Sequence, residues 1–258
     1  MMDYMASPTT DIDRMPRGGP DASCVDRLLQ TDRPEYLDRD SDGDAANEAR
    51  KRSVIRALEW TGEFFGNTEK FARIVLDEVA DVPDPKILEL GSGHGGLSRK
   101  LLEWHPTAEL TVTDIEAASV AAIAASELGE HQRATVLQMD ATAIDAADGQ
   151  YDLAVFAFSF HHLPPSLASR AFAEGTRVAD KLVIIDLPRP PSPLHILRLA
   201  AMLPLAPVVP FVHDGVISSL RTYSPSALRA LAAHADPAIE VELRGGLMNP
   251  QVVVASRR

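Results

Sequence analysis

The stretch KILELGSGHGGLSRKLL, Lys86–Leu102, decides how this chain is read. Ile87, Leu88 and Leu90 make a short apolar run, glycines at 91, 93, 95 and 96 break it, and an amphipathic pattern follows. That order describes a strand, a tight loop and a helix, with glycines allowing a sharp turn and a close ligand approach. Gly91, Gly93 and Gly96 have the G-x-G-x-x-G spacing of a dinucleotide loop, a weak signal when it stands alone. Glu89 sits inside the strand two residues before Gly91. A carboxylate there repels a pyrophosphate and suits a ligand carrying an amino group or a positive centre.

Working outward, the alternation continues. ELTVTD, ATVLQMD, YDLAVFAFS and KLVIIDL read as strands, and AASVAAIAASELG and SLASRAFAEGTRVA read as helices between them. Strands this apolar, separated by helices, imply a parallel sheet covered on both faces, and right-handed crossovers make it a doubly wound α/β fold. After Leu187 a proline-broken, largely apolar insertion runs to about residue 223. A helix then starts at Ser224–Pro225, a serine cap followed by proline at the first helical position. IEVELR and QVVVAS close the chain as antiparallel neighbours, because the link between them is short. Asp114 ends the second strand and Asp140 the third, so both join Glu89 at the carboxyl edge of the sheet, where open α/β sheets bind ligands. Asp140 has a second reading, as the cap of its own turn.

Upstream, TEKFARIVLDEVA is a helix with Phe71, Ile74, Val75 and Val79 on one face. Val54, Leu58 and Phe65 suggest a similar stripe on an earlier helix. Three units are expected: residues 1–20 a flexible tail, 21–82 a helical N-terminal cap, and 83–258 a Rossmann-like domain with a cap insertion at about 188–223. The tail assignment rests on polarity and on Gly and Pro density.

The chain has 258 residues, 45% hydrophobic, with a formal net charge of -12. Half of that excess falls in residues 1–50, which carry 12 acidic and 6 basic side chains. Such a balance argues against a nucleic-acid partner. The single cysteine, Cys24, excludes an internal disulfide and a multi-cysteine metal site, and no metal is assigned. The longest apolar stretch, Leu199–Val212, is too short and too proline-rich to span a membrane. A cytoplasmic protein is expected.

Taken together, the motifs resemble those of the class I S-adenosylmethionine-dependent methyltransferases, of the bacterial small-molecule type. ILELGSGHG matches the family's first motif, E/D-x-G-x-G-x-G, at Glu89, Gly91, Gly93 and Gly95. TVTDIE resembles the acidic loop, LQMDATAI the motif beside the adenine, and YDLAVFAFSFHHLPP the fourth-strand motif. HDGVISSLRTYSPSALRAL resembles a bacterial group in which an arginine and an aromatic, here Arg221 and Tyr223, lead into a capping helix. The resemblance covers roughly residues 52–258. It implies a mostly parallel seven-stranded sheet with an antiparallel last strand, and S-adenosylmethionine as cofactor. Glu89 would organise the loop and face the methionine ammonium through the loop or a water. Gly91, Ser92 and Gly93 would pass under the methionine part. Asp114 would bind the ribose hydroxyls, Ile115 would pack on the adenine, and Asp140 with Ala141 would meet its amino group. Phe158 and Ser159 would flank the methionine moiety. Met139 departs from the family's usual glycine.

Methyl transfer from a sulfonium is an in-line displacement with a neutral leaving group, so alignment is the enzyme's main task. A base is needed where the acceptor enters protonated. His161, His162 and His213 are the candidates, since an imidazole titrates near neutrality. Adjacent side chains in extended chain point to opposite sides, so at most one of His161 and His162 is expected to face the acceptor. Trp60, Phe64 and Phe65, with the Pro188–Tyr223 insertion, are expected to shape an acceptor pocket for a small apolar or aromatic compound, methylated at oxygen. The insertion equally suits a contact across a homodimer. Two rivals stand: an NAD-dependent oxidoreductase on a Rossmann fold, although no Y-x-x-x-K occurs, and a non-catalytic S-adenosylmethionine-binding protein.

Overall fold

A computed structural model describes residues 12–38, 44–246 and 249–258, without the side chains of residues 58, 59 and 63–65. Its centre is a seven-stranded sheet. The strands are β1 (Lys86–Leu90), β2 (Glu109–Asp114), β3 (Ala134–Gln138), β4 (Tyr151–Ala157), β5 (Ala179–Asp186), β6 (Ile239–Arg244) and β7 (Gln251–Arg257). They lie in the order β3-β2-β1-β4-β5-β7-β6. β1 to β5 pair in parallel, while β7 inserts antiparallel between β5 and β6. The fold class expected from the sequence is therefore observed. In β1, Ile87, Leu88 and Leu90 are each 0% exposed, which explains the unbroken apolar run: helices cover both faces.

On one face lie α3 (Asn67–Glu78) and α4 (Gly96–Trp104), with Phe71, Val75 and Val79 buried against Ile87, Leu101 and Val155. Ile74 packs on the rim of the same cluster. The other face is covered by α6 (Pro165–Val178) and α9 (Pro225–Ala235), which bury Phe172, Leu228 and Leu231 with Leu88 and Phe156. Ser224 caps α9 as expected, accepting the Ala227 N–H at 3.1 Å. α5 (Ala117–Ala124) follows β2. The insertion forms α7 (Ser192–Met202) and α8 (Pro210–Arg221).

The N-terminal region departs from the tail expected over residues 1–20. Residues 1–11 lie outside the described residues. Within residues 12–20, by contrast, Met15, Pro16, Arg17 and Gly19 are buried: Met15 is 6% exposed within the core cluster and Arg17 only 3%. Arg17 Nη1 donates to the carbonyls of His161 at 2.7 Å and Arg221 at 2.6 Å, and its guanidinium lies 4.6 Å from the Tyr223 ring centroid. A buried guanidinium satisfied by carbonyls and an aromatic face can anchor a segment that lacks apolar periodicity. Beyond it, α1 (Cys24–Leu28) is held by Arg189, which donates to the carbonyls of Asp26 and Leu29. α2 (Ala45–Phe65) packs near α8. Val54 is buried and Trp60 is largely exposed; the side chains of Leu58, Phe64 and Phe65, named from the sequence, lie outside those described.

Candidate active site

Strand order reverses between β1 and β4, which open a crevice at their carboxyl ends. The glycine loop forms its floor. Gly91 has φ +65° and Gly93 φ +58°, values that only glycine adopts freely. A Cβ at Gly91 would come within 2.8 Å of Ser159 Oγ, whereas a Cβ at Gly93 would meet nothing within 4 Å. One glycine is thus required for packing of β1 against the end of β4, and the other leaves open space above the loop. Gly95, also at positive φ, precedes α4, and Gly96 is the helix's first residue.

The residues expected to touch a cofactor lie at or just beyond the carboxyl ends of β1 to β4. Glu89, 2% exposed, lies beneath it and accepts a hydrogen bond from Ser98 Oγ on α4. Burial pushes its carboxyl up to about 7, with the Asp114 charge adding and the Ser98 hydrogen bonds opposing. A phosphate above the loop would drive it neutral; an ammonium would draw its proton away. Asp114 accepts the N–H of Gly93 at 2.8 Å on one oxygen and that of Glu116 at 2.9 Å on the other. It therefore shapes the loop and retains lone pairs for hydroxyl donors. Ser92 Oγ, in the loop, is buried without a hydrogen-bond partner. Ile115 is 61% exposed, an apolar side chain at the rim with a face to cover. Asp140 accepts both the N–H and the Oγ1–H of Thr142 at 2.8 Å, the turn-capping arrangement, so only its other oxygen faces outward unengaged. Ala141 packs at the edge of the core, and Met139 is buried within it.

At the end of β4, Phe158 has φ +56°, and among the described residues no other non-glycine has a positive φ. Such backbone costs ~1–3 kcal/mol and concentrates at functional sites. Its ring meets Phe71 edge-on at 4.8 Å, and the next residue, Ser159, donates to the Leu90 carbonyl at 3.3 Å. An orphaned hydroxyl, an open glycine face, ribose-competent Asp114, apolar Ile115 and a buried carboxylate are jointly suited to an amino-acid-bearing nucleoside without phosphate. S-adenosylmethionine is that molecule.

His161 and His162 follow the end of β4, and His213 lies on α8. His161 and His162 are in a 3-10 turn, Phe160–His162, rather than in extended chain. The two rings consequently lie side by side, centroids 4.4 Å apart, which corrects the expectation that they point apart. His161 is 3% exposed; its ring Nδ1 is 2.8 Å from Asp186 Oδ1 and its backbone N–H donates to Asp186 Oδ2. Burial works to lower it, but Asp186 and Glu35 outweigh that and raise it to about 9. An imidazole that keeps its proton at neutral pH is poorly suited to act as a base. His162 Nδ1 is 2.7 Å from Asp38 Oδ1, and Arg221 also donates to Asp38. His213, on α8, pairs with its neighbour Asp214 at 2.9 Å, and Tyr36 stacks on its ring at 4.3 Å.

Sequence reading missed Glu35, which is 3% exposed and faces both histidines, and with it Arg17, Asp38 and Asp186. Burial raises the Glu35 carboxyl, but His161, His162 and Ser218 outweigh this and hold it below the ordinary range. A charged side chain buried from an otherwise polar segment leaves no periodic signal. In the apolar insertion, His195 and Leu199 of α7 are buried, while Leu197, Leu205 and Val208 are 66%, 52% and 74% exposed. A separate concavity of about 670 Å³ between residues 18–26 and the Pro188–Pro191 stretch holds none of the expected cofactor residues.

Comparison with known proteins agrees with this geometry. Residues 87–181 match a family model described as a methyltransferase domain. The chain is 25% identical over 193 residues to a demethylmenaquinone methyltransferase of Thermus thermophilus, covering 69% of this chain and 86% of that protein. It is 35% identical over 97 residues to a malonyl-[acyl-carrier protein] O-methyltransferase of Geobacter sulfurreducens, covering 38% and 35% of the two chains. Among solved structures, a SAM-dependent methyltransferase from Aquifex aeolicus shares the fold with TM-score 0.52 and 19% identity, over 71% of this chain and 88% of that one. By its motifs, its sheet order and these likenesses, the chain is similar to the class I S-adenosylmethionine-dependent methyltransferases; it carries a methyltransferase domain, and its cofactor is S-adenosylmethionine.

Proposed function

We propose that the protein transfers the cofactor's methyl group to a small apolar or aromatic acceptor at an oxygen atom. The observation that carries this reading is the placement of the Glu35–His161–His162 group at the end of β4, next to Phe158 and Ser159 on the methionine side of the crevice. Polar groups there can receive an acceptor hydroxyl, while exposed apolar side chains of α7 and the turn after it offer a surface to a lipophilic body. The named substrates of the two curated relatives, a demethylmenaquinone and a malonyl carrier-protein conjugate, support an acceptor outside the nucleic-acid and protein side-chain classes.

In this reading Gly91, Ser92 and Gly93 carry the methionine part, with Glu89 beneath. Asp114 accepts from the ribose hydroxyls, Ile115 covers the adenine, and the free oxygen of Asp140 with Ala141 meets its edge. Phe158 and Ser159 complete the methionine wall. Of the three histidines, His162 stands closest to the role of acceptor contact, since His161 is buried and His213 is occupied by Asp214 and Tyr36. A methyl donor that already carries a leaving group requires positioning above all, and the strained, rigid end of β4 supplies it. The outward-facing Leu197 and Val208 favour a second reading of α7, as a contact between two copies of the chain. The exposed free Cys24 fits a reducing, cytoplasmic setting.

The test is a transfer assay with 13C-methyl-labelled cofactor and a panel of phenols, hydroxyquinols and fatty or polyketide hydroxyl compounds. A labelled product whose methyl carbon has the NMR shift of a methoxy group is expected. Label appearing only on carbon or nitrogen would overturn the oxygen assignment, and label appearing only in protein or nucleic acid would overturn the acceptor class.

A further inference from the structure

His161 and His162 share one arrangement. Each ring has Nδ1 against a carboxylate, Asp186 for His161 at 2.8 Å and Asp38 for His162 at 2.7 Å. A carboxylate accepts, so each Nδ1 donates, and in the neutral ring each Nε2 then presents a lone pair. Both Nε2 atoms turn to the same carboxylate: His161 Nε2 lies 3.6 Å from Glu35 Oε1, and His162 Nε2 lies 4.0 Å from Glu35 Oε2. His161 Nε2 is fully buried and has no hydrogen-bond partner, on a side chain 4% exposed. Once the Nε2 protons are given up, three electron-pair donors converge on one small space.

We infer that Glu35, His161 and His162 form a binding site for a divalent transition-metal ion of the zinc type, joining the N-terminal segment to the end of β4. The donor atoms all lie within 4.8 Å of one another. A tetrahedral ion with bonds of about 2.0–2.1 Å sets its donors about 3.4 Å apart, so closure by roughly an ångström is required. Two imidazoles and a carboxylate are a donor set that zinc accepts readily. The carboxylate behind each imidazole is the support that metal-bound histidines normally have, fixing tautomer and ring orientation. Local charge also favours a cation: Glu35, Asp38, Asp186 and Asp214 outnumber Arg17 and Arg221 around the group. Three protein donors leave a fourth position, the pattern of sites that bind water or a reacting oxygen. His162, with its side chain 27% exposed, marks the side from which such an oxygen enters. That the entering oxygen belongs to the methyl acceptor rests on the proposed function; the ion site itself does not.

The competing occupant of the same space is a pair of protons. Tag-free full-length protein, stripped with chelator, is titrated separately with Zn2+ and Co2+ by calorimetry and visible spectroscopy. The expected result is one ion per chain at micromolar affinity or tighter, with the intense d–d bands of four-coordinate cobalt. Glu35→Gln and His162→Gln should each weaken binding at least 30-fold, while His234→Ala, an exposed histidine on α9, should leave it unchanged. Absence of one-to-one binding by the wild-type chain, or equal binding by the Glu35→Gln/His162→Gln double variant, would overturn the site. So would imidazole 15N spectra showing both rings doubly protonated and unmoved by Zn2+. S-adenosylhomocysteine affinity measured on the same samples separates this outcome from failure of the methyltransferase reading, and the wild-type titration does not depend on any variant folding.

Discussion

The two banks of the crevice are built on opposite plans. The bank to which we assign the cofactor runs through Glu89, Gly91–Gly93, Asp114 and Phe158–Ser159, and each belongs to a strand end or the loop directly after it. The other bank, to which we assign the acceptor, brings together Arg17, Glu35, Asp38, His161, His162 and Arg221, whose hydrogen bonds and ion pairs span up to 204 residues of sequence. The first bank is positioned by the backbone of a parallel sheet, the second by buried charge satisfied across distant segments. Local construction tolerates little at its glycines. Distant construction makes the bank's integrity depend on whether an N-terminal segment stays docked.

The largest expected effect is on the cofactor bank. Gly91→Val places a branched side chain at φ +65° and drives it into Ser159, so S-adenosylhomocysteine affinity should fall at least ~100-fold by calorimetry, about 3 kcal/mol. Retained affinity would mean the loop is not the cofactor floor. On the acceptor bank, Arg17→Ala removes two buried carbonyl hydrogen bonds and the Tyr223 contact and should lower unfolding free energy by ~3 kcal/mol, roughly 6–12 °C in melting temperature. Cofactor affinity should stay within about threefold; a loss matching that of Gly91→Val would erase the distinction between the banks.

Asp114→Ala should weaken S-adenosylhomocysteine binding ~10–100-fold, since it removes charge-assisted hydrogen bonds and also releases the Gly93 N–H. A change under twofold would refute the ribose role. The smallest expected effect is a pH dependence. The Glu89 carboxyl, raised by burial to about 7 from 4.5, binds its proton more tightly in the folded chain. Its contribution to stability is therefore present below about pH 4.5 and is lost as pH rises through 7. A cationic ligand that prefers the ionised form should bind about tenfold more tightly at pH 8 than at pH 6, and Glu89→Gln should flatten both profiles. Wild-type affinity independent of pH would separate Glu89 from the ligand's charge.

The contrast between the banks also explains what the sequence disclosed. Strand order, the glycine loop and the carboxylates at strand ends were legible because period-two and period-3.6 patterns and turn chemistry are local. The docking of Arg17 was not, since MPRGGP has the Gly and Pro content of a flexible tail and its anchor is one guanidinium. Glu35 lies in a polar stretch, and only the fold reveals that Ser218, His161 and His162 surround it. His161 and His162 were singled out by their position after the fourth strand, but their pairing followed from a 3-10 turn that an extended reading misses. The turn reading of Asp140 rests on a two-residue hydrogen bond to Thr142, a side-chain detail that composition and spacing do not carry.

The most direct test of the account is a paired calorimetric titration of the full chain with S-adenosylhomocysteine and with NAD under identical conditions. Micromolar one-to-one binding of S-adenosylhomocysteine, absent in Gly91→Val, with no heat from NAD, is the predicted result. Micromolar NAD binding with none of the homocysteine compound would contradict it and return the glycine loop to a phosphate cradle.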